Sequence, residues 1–233
     1  MAGAATYMVF GLICGYLTIT VCESFFHRTI QHASPDLRRW YRRLGRLGRA
    51  LQEAWYSHHV IHHFQTFTRD HVTQFADNCE RERLARRLRE LDKSEIVACE
   101  YGNIIGSELK AYLIYMGPTL PVFATACWLG GLWFTIGACV PLIAWPMLAQ
   151  FVHPHLHRNH RDVMGDPRAW LRFMSRTRYF RHLAQHHWLH HTYPNCNYNL
   201  LLGGDWLLGL HRRADADDLA AMQSIGLWVR SGD

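Results

Sequence analysis

The sequence predicts an all-α integral membrane bundle topped by a cytoplasmic, histidine-rich cap for two metal ions. Three observations predict it. Residues 1–22 and 111–152 carry no charged side chain, and each stretch is long enough to cross a bilayer. Most of the 17 histidines gather in four short groups beside those stretches. No Lys or Arg precedes the first stretch and many follow it, several follow residue 152, and the Gly130-Gly131 turn carries none.

A chain of 233 residues is long enough for one domain with its own core, so 1–233 reads as a single unit. The net charge is +6 and the sequence pI about 9.1. The arginines alternate with Trp, Tyr and Leu beside apolar spans, which favours an anionic membrane surface over nucleic acid. Seven cysteines form no C-x-x-C pair, and Cys14, Cys22, Cys127 and Cys139 lie in apolar spans. That pattern reads as reduced thiols and excludes both a disulfide framework and a thiolate zinc site.

Taken in order, residues 5–26 form the first span, about twenty residues at ~1.5 Å rise each. A signal peptide would need a basic start and a cleavage site; neither is present, and the span runs straight into His27. Glu23 lies one turn before His27, as an interfacial carboxylate or as support and proton relay for a metal site. Residues 33–57 place Arg38, Arg39, Arg42, Arg43, Arg46 and Arg49 among Leu, Trp and Tyr, the pattern of an amphipathic helix along the headgroups. Ser34-Pro35-Asp36 marks its start. Residues 79–97 read as a charged, solvated helix.

Gly130-Gly131 divides the second uncharged stretch, predicting spans at 111–129 and 132–152 joined by a tight turn. Prolines 118, 121, 141 and 146 fall in these spans, where membrane helices tolerate kinks. The arginine asymmetry then puts 27–110 and 153–233 on the cytoplasmic side. All four histidine groups share that face. Residues 163–183 read as interfacial again, 192–209 as a loop with a Gly-Gly turn that could cap a site, and the tail as a short amphipathic helix.

Two of the histidine groups repeat one pattern, H-H-x-x-H-H, at 58–63 and 186–191. On an α-helix, residues three and four apart share a face, so His59, His62 and His63 converge, as do His187, His190 and His191. His153 and His157 stand one turn apart. His27 and His32, five apart, face one way only if the helix ends or tightens between them. Imidazoles so spaced are natural ligands for zinc, iron or copper. Ten of them exceed the needs of one ion and divide over two. Hydrolytic zinc needs only three ligands and a water, whereas open histidine-rich sites suit oxygen-activating iron. An alternative third group pairs His155 with His160. His58, His71, His182 and His186 are further rings near the groups, with His58 and His186 as supports for a ligand's other nitrogen.

The order His27-x4-His32, His59-x2-His62-His63, His153-x3-His157 and His187-x2-His190-His191 resembles the fatty acid hydroxylase superfamily, also called the sterol desaturase family. The stretches Phe-Val-His-Pro-His-Leu-His and Leu-Ala-Gln-His-His-Trp-Leu-His-His resemble its fatty-acid and β-carotene hydroxylases. The resemblance covers the chain to about residue 209. It implies a membrane oxidoreductase with two iron ions, O2 as co-substrate, a lipid or apolar substrate, and those ten histidines as ligands. Some members carry a fused cytochrome domain. This chain has no haem motif, so a separate ferredoxin-, rubredoxin- or cytochrome-type donor is implied. A desaturase on the same metals is the alternative reading, and a membrane metal-transport protein or a zinc hydrolase lie further off.

Overall fold

A computed structural model describes residues 2–63, 66–67 and 120–227, with a few single positions between 79 and 90. His71, the charged segment 79–97 and the start of the second span at 111–119 lie outside the continuous described ranges. All elements among the described residues are helical. Two helices are long and apolar enough to cross a membrane, Gly3–Gln31 and Phe123–Met147.

Helix α1 spans Ala2–Phe26 and continues as a wider π-helical turn over His27–Gln31. It shows no amphipathic face because apolar residues surround it, as a helix in an apolar medium requires. Tyr7, Phe10, Ile13, Leu17 and Phe25 stand exposed along it. After Gln31 the chain turns. Ser34 caps α2 (Pro35–Tyr41) by accepting from the Leu37 amide at 3.3 Å, with Pro35 in the first turn, where its missing N–H costs nothing. The single amphipathic helix expected over 33–57 is divided. Gly45 takes φ +56° and starts α3 (Gly45–Trp55), which folds back so that Gly48 packs on the Tyr41 carbonyl. A second π-helical stretch, Tyr56–His62, carries the first histidine motif.

Helix α4 (Leu120–Met147) breaks at Gly131, whose φ of +74° no helix accommodates. Thr135 Oγ1 donates to the Cys127 carbonyl at 3.3 Å. Eight helical residues would separate these atoms by about 12 Å, so the chain reverses at Gly130-Gly131. Although its length and composition pass as one span, α4 is two antiparallel arms. The second arm runs on through the π-helical Leu148–Val152 into α5 (His153–Leu156), covering the 132–152 span read from the sequence.

Helices α1 and α4 pack backbone to backbone. A side chain at Gly11 would collide with the Phe134 carbonyl, one at Gly15 with Ala138, and one at Gly137 with the Met8 carbonyl. Close approach at small residues is how helices associate where no water drives them together. The chain continues through the short helices α6 (His160–Met164), α7 (Ala169–Ser175), α8 (Arg178–Thr192), α9 (Gly204–Leu207) and α10 (Ala216–Ser224), of which α6, α7 and α8 share a core with the long helices. That core joins Leu156, Val163, Leu171, Phe180 and Leu183 to Ile19 and Trp145 of the long helices. Helix α8 points its buried face, including His187 and His190, at the ends of α1 and α4.

Candidate metal centre

Four chain segments bring histidines together into two adjacent groups. In the first, ring nitrogens of His27, His32, His58 and His190 all lie within 4.8 Å of one another; in the second, those of His62, His153, His157 and His187 do. His63 joins the first group, its Nε2 lying 3.1 Å from His58 Nε2 and 3.2 Å from His190 Nε2. His191 joins the second, 3.1 Å from His187 Nε2. The His63 and His191 rings stack between the groups at 4.1 Å and 17°. Each H-H-x-x-H-H motif therefore serves both groups.

The local helix type decides which rings converge. Helix α8 is a regular α-helix, and there the expected trio His187, His190 and His191 meets the groups. The first motif lies on a π-helix, whose wider turn aligns residues four and five apart. His58, His62 and His63 then point inward, and His58 takes the place expected for His59. His58 Nε2 lies 2.9 Å from His27 Nε2. His59 stands at the rim instead, stacked on Trp55 at 5.6 Å with its Nδ1 3.1 Å from His32 Nδ1. The same widening aligns His27 with His32. The His32 amide bonds to the His27 carbonyl five residues back at 2.9 Å, so the helix loosens between them rather than tightens.

The remaining candidates stand outside both groups. His155 accepts from Arg158 at 3.1 Å, and His160 lies against Phe180. His182 neighbours His186, whose Nε2 lies 3.1 Å from the buried Asp205 carboxylate. Among the described residues Glu23 bonds to no histidine. Its carboxyl oxygens accept from the Leu200 amide at 2.8 Å, the Leu201 amide at 3.0 Å and Asn199 Nδ2 at 3.3 Å. It thus ties down the loop beyond Tyr198, whose carbonyl lies 2.7 Å from His27 Nδ1. The loop read as a cap over the site does part of that: Cys196 and Tyr198 reach the histidines, while Gly203-Gly204 packs on α1 instead. The Gly11-x3-Gly15 spacing was open to sequence reading as a close helix contact and was not used.

The donor set fits cations. With a carbonyl beside it, His27 Nδ1 must carry the proton, and so must His190 Nδ1, 2.9 Å from the Cys196 carbonyl. Their Nε2 atoms then present bare lone pairs, and these face other ring nitrogens at 2.9–3.2 Å. Such lone pairs accept either an Nε2–H of a neighbouring ring or a positive ion placed among them, and several converging on one volume suit the ion. Burial depresses the imidazole pKa values, to about 3 for His153 and about 4 for His190. His58, His63, His157, His187 and His191 are held well below 6.5 by burial first and by neighbouring rings second. The rings are therefore neutral at physiological pH, the form in which imidazole binds metal.

No family model, no curated protein and no solved structure matches this chain.

Proposed function

We propose that the chain is an O2-dependent, non-haem diiron hydroxylase of a lipid or other apolar acyl substrate. It lies in the membrane with its histidine groups on the cytoplasmic side. The observation that carries this reading is the pair of all-imidazole groups set side by side at the ends of two long apolar helices. Neighbouring Nε2 atoms within each group stand 2.8–3.2 Å apart, close enough for several rings to reach one ion. The motif order that resembles the fatty acid hydroxylase superfamily points the same way.

Bound iron would supply the reductive activation of O2, with two electrons from outside. The protein's own part is positional. His27, His32, His58, His63 and His190 would hold one ion, and His62, His153, His157, His187 and His191 the other. Tyr198 and Cys196 carbonyls fix two of the rings by their far nitrogens. His62, His157 and His190 are fully buried, which keeps bulk water away from the reacting centre. The exposed apolar sides of α1 and α4 face the solvent in which an acyl chain would arrive. Electrons would come from a separate acidic carrier of the ferredoxin, rubredoxin or cytochrome type, drawn to the arginine-rich cap.

The test is metal analysis of anaerobically purified protein together with lipid profiling of cells with and without it. The expected result is two irons per chain and a lipid that gains one oxygen. A lipid that instead loses two hydrogens makes the protein a desaturase. Bound zinc, with lipids unchanged under O2, rejects the oxygenase reading.

A further inference from the structure

Beyond Asn197 the chain leaves the histidine groups and travels back along α1. The Leu201 carbonyl accepts from Thr20 Oγ1 and the Leu202 carbonyl from the Tyr16 hydroxyl. The Gly204 amide donates to Thr20 Oγ1 at 2.7 Å, and Gly204 packs so tightly on the Thr20 carbonyl that no side chain fits there. The chain then returns. Its neck closes where the Asn197 amide donates to the Leu210 carbonyl at 3.1 Å and the Arg212 amide to Asn197 Oδ1 at 2.8 Å.

The depth of this excursion follows from helix geometry. Arg28 is the first exposed charge on the α1 continuation, and Phe25, 55% exposed, is among the last exposed apolar residues before it. A lipid boundary falls between them. Thr20 lies eight residues back from Arg28, or about 12 Å, and Tyr16 lies about 18 Å back. A hydrocarbon layer is about 30 Å thick. Leu202, beside Tyr16, is therefore the deepest point of the loop, near the middle of such a layer, and Asp205, bonded to Ser24 four residues back from Arg28, lies about 6 Å below the boundary.

Two further features suit a place just inside that boundary. Trp206, Leu207 and Leu208, directly after Asp205, are 58%, 61% and 44% exposed, with one side of the Trp206 ring against His211 at 4.7 Å. The only ionisable residue from Asn199 to Leu210 is Asp205, which is fully buried between His186, Ser24 and the Asn199 amide. Backbone in lipid must also satisfy its own polar groups. Here the amides of Asn199, Leu200, Leu201 and Gly204 go to side chains of Asp205, Glu23 and Thr20. Those of Asp205 to Leu210 go to Asn199 Oδ1 and to carbonyls within the loop, so ten of the twelve amides from 199 to 210 are bonded, Leu202 and Gly203 being the exceptions. Thr20, Glu23 and Ser24 of α1 all bond to this loop.

We propose that residues 199–210 form a re-entrant membrane loop whose Trp206-Leu207-Leu208 turn lies among lipid acyl chains. This rests on reading α1 as a membrane span. The loop gives the cap a third hold on the bilayer and links the Cys196 and Tyr198 carbonyls, which set His190 and His27, to the lipid phase.

The experiment reconstitutes the full chain and its Trp206→Phe variant in vesicles of phosphatidylcholine brominated near the middle of one acyl chain. Fluorescence is quenched from the lipid side by bromine and from the water side by iodide. The Trp206 contribution, taken as the difference between the two proteins, is expected to lose most of its intensity to brominated lipid and almost none to iodide. Loss to iodide instead puts the turn in water and overturns the proposal. Loss to neither means that protein, such as a second copy of the chain, covers it, and overturns it too. Trp128 and Trp133 on the α4 hairpin, 81% and 49% exposed, serve as controls present in both proteins. If brominated lipid fails to quench them as well, the membrane reading itself falls; if they are quenched and Trp206 is not, only the loop falls.

Discussion

The Nε2 atoms of His58 and His63 lie 3.1 Å apart although five residues separate them. In an α-helix that step turns through about 140° and sends the rings to different sides. The π-helix over Tyr56–His62 closes the angle, and this one departure from regular geometry selects the ring set of the first motif. A clean contrast between neighbours follows. His58→Ala should lose at least half of the bound metal, because it removes a ring from the centre of the first group. His59→Ala should retain it, since that ring packs on Trp55 at the rim. Metal content per chain after identical purification reads the difference.

What the sequence made legible, and what it hid, divides along the same line. The long apolar helices were readable because composition alone decides whether a segment can live outside water. The reversal at Gly130-Gly131 was readable because only glycine tolerates the φ that Gly131 adopts. The second motif was readable because α8 is a regular helix. The first was legible only in part: the structure turns His58 inward and sets His59 at the rim beside His32, and nothing in Tyr-Ser-His-His-Val-Ile-His announces the π-helix that does so. The role of Glu23 was hidden for another reason. Its partners are amides at 200 and 201, and such long-range pairing leaves no trace in local spacing.

Acid should destabilise the metal-free protein. The imidazoles of His58, His63, His157, His187 and His191 are held below 6.5 in the folded state, with His190 near 4 and His153 near 3. Between those values and 6.5 the unfolded chain binds more protons than the folded one. Stability is then fully present above about pH 6.5 and declines as pH falls through the folded values. Melting temperature of the metal-free protein in detergent should be flat from pH 8 to 7 and drop steadily from 6 to 4. A rise over that interval would contradict the buried, neutral cluster.

Replacing Glu23 by Gln should loosen the loop without touching a histidine. Donors from Asn199, Leu200, Leu201 and Trp145 converge on the carboxyl, and an amide in its place turns an N–H toward at least one of them. An unmatched buried group of this kind costs about 1–3 kcal/mol. The expected readout is a lower melting temperature with weaker metal retention, because Tyr198 no longer holds His27 firmly. Unchanged retention against a chelator would show that the loop does not set that ring.

Gly15→Leu should separate α1 from α4. The new side chain meets the Ala138 backbone and the Pro141 ring, neither of which can yield as a flexible side chain would. Overpacking of this sort costs about 1–3 kcal/mol where the core can adjust, and rigid backbone makes the upper end the expectation. Gly3→Leu, where nothing lies near, is the matched control and should melt like the parent.

His58 and His186 hold the same place in the repeated motif and should respond oppositely to truncation. His186 lies on a regular α-helix, and its Nε2 meets Asp205 rather than another imidazole, at 3.1 Å in a site where both side chains are buried. Asp205 keeps the Ser24 hydroxyl at 3.0 Å and the Asn199 amide at 2.8 Å when that ring is removed. His186→Ala should therefore keep its full metal complement while losing about 1–3 kcal/mol of stability from the orphaned carboxylate position. His186→Gln, whose amide reaches the position of Nε2 and can still donate to Asp205, should recover part of the loss. Metal depletion in His186→Ala equal to that in His58→Ala would show that position in the motif, rather than local helix geometry, decides which rings bind.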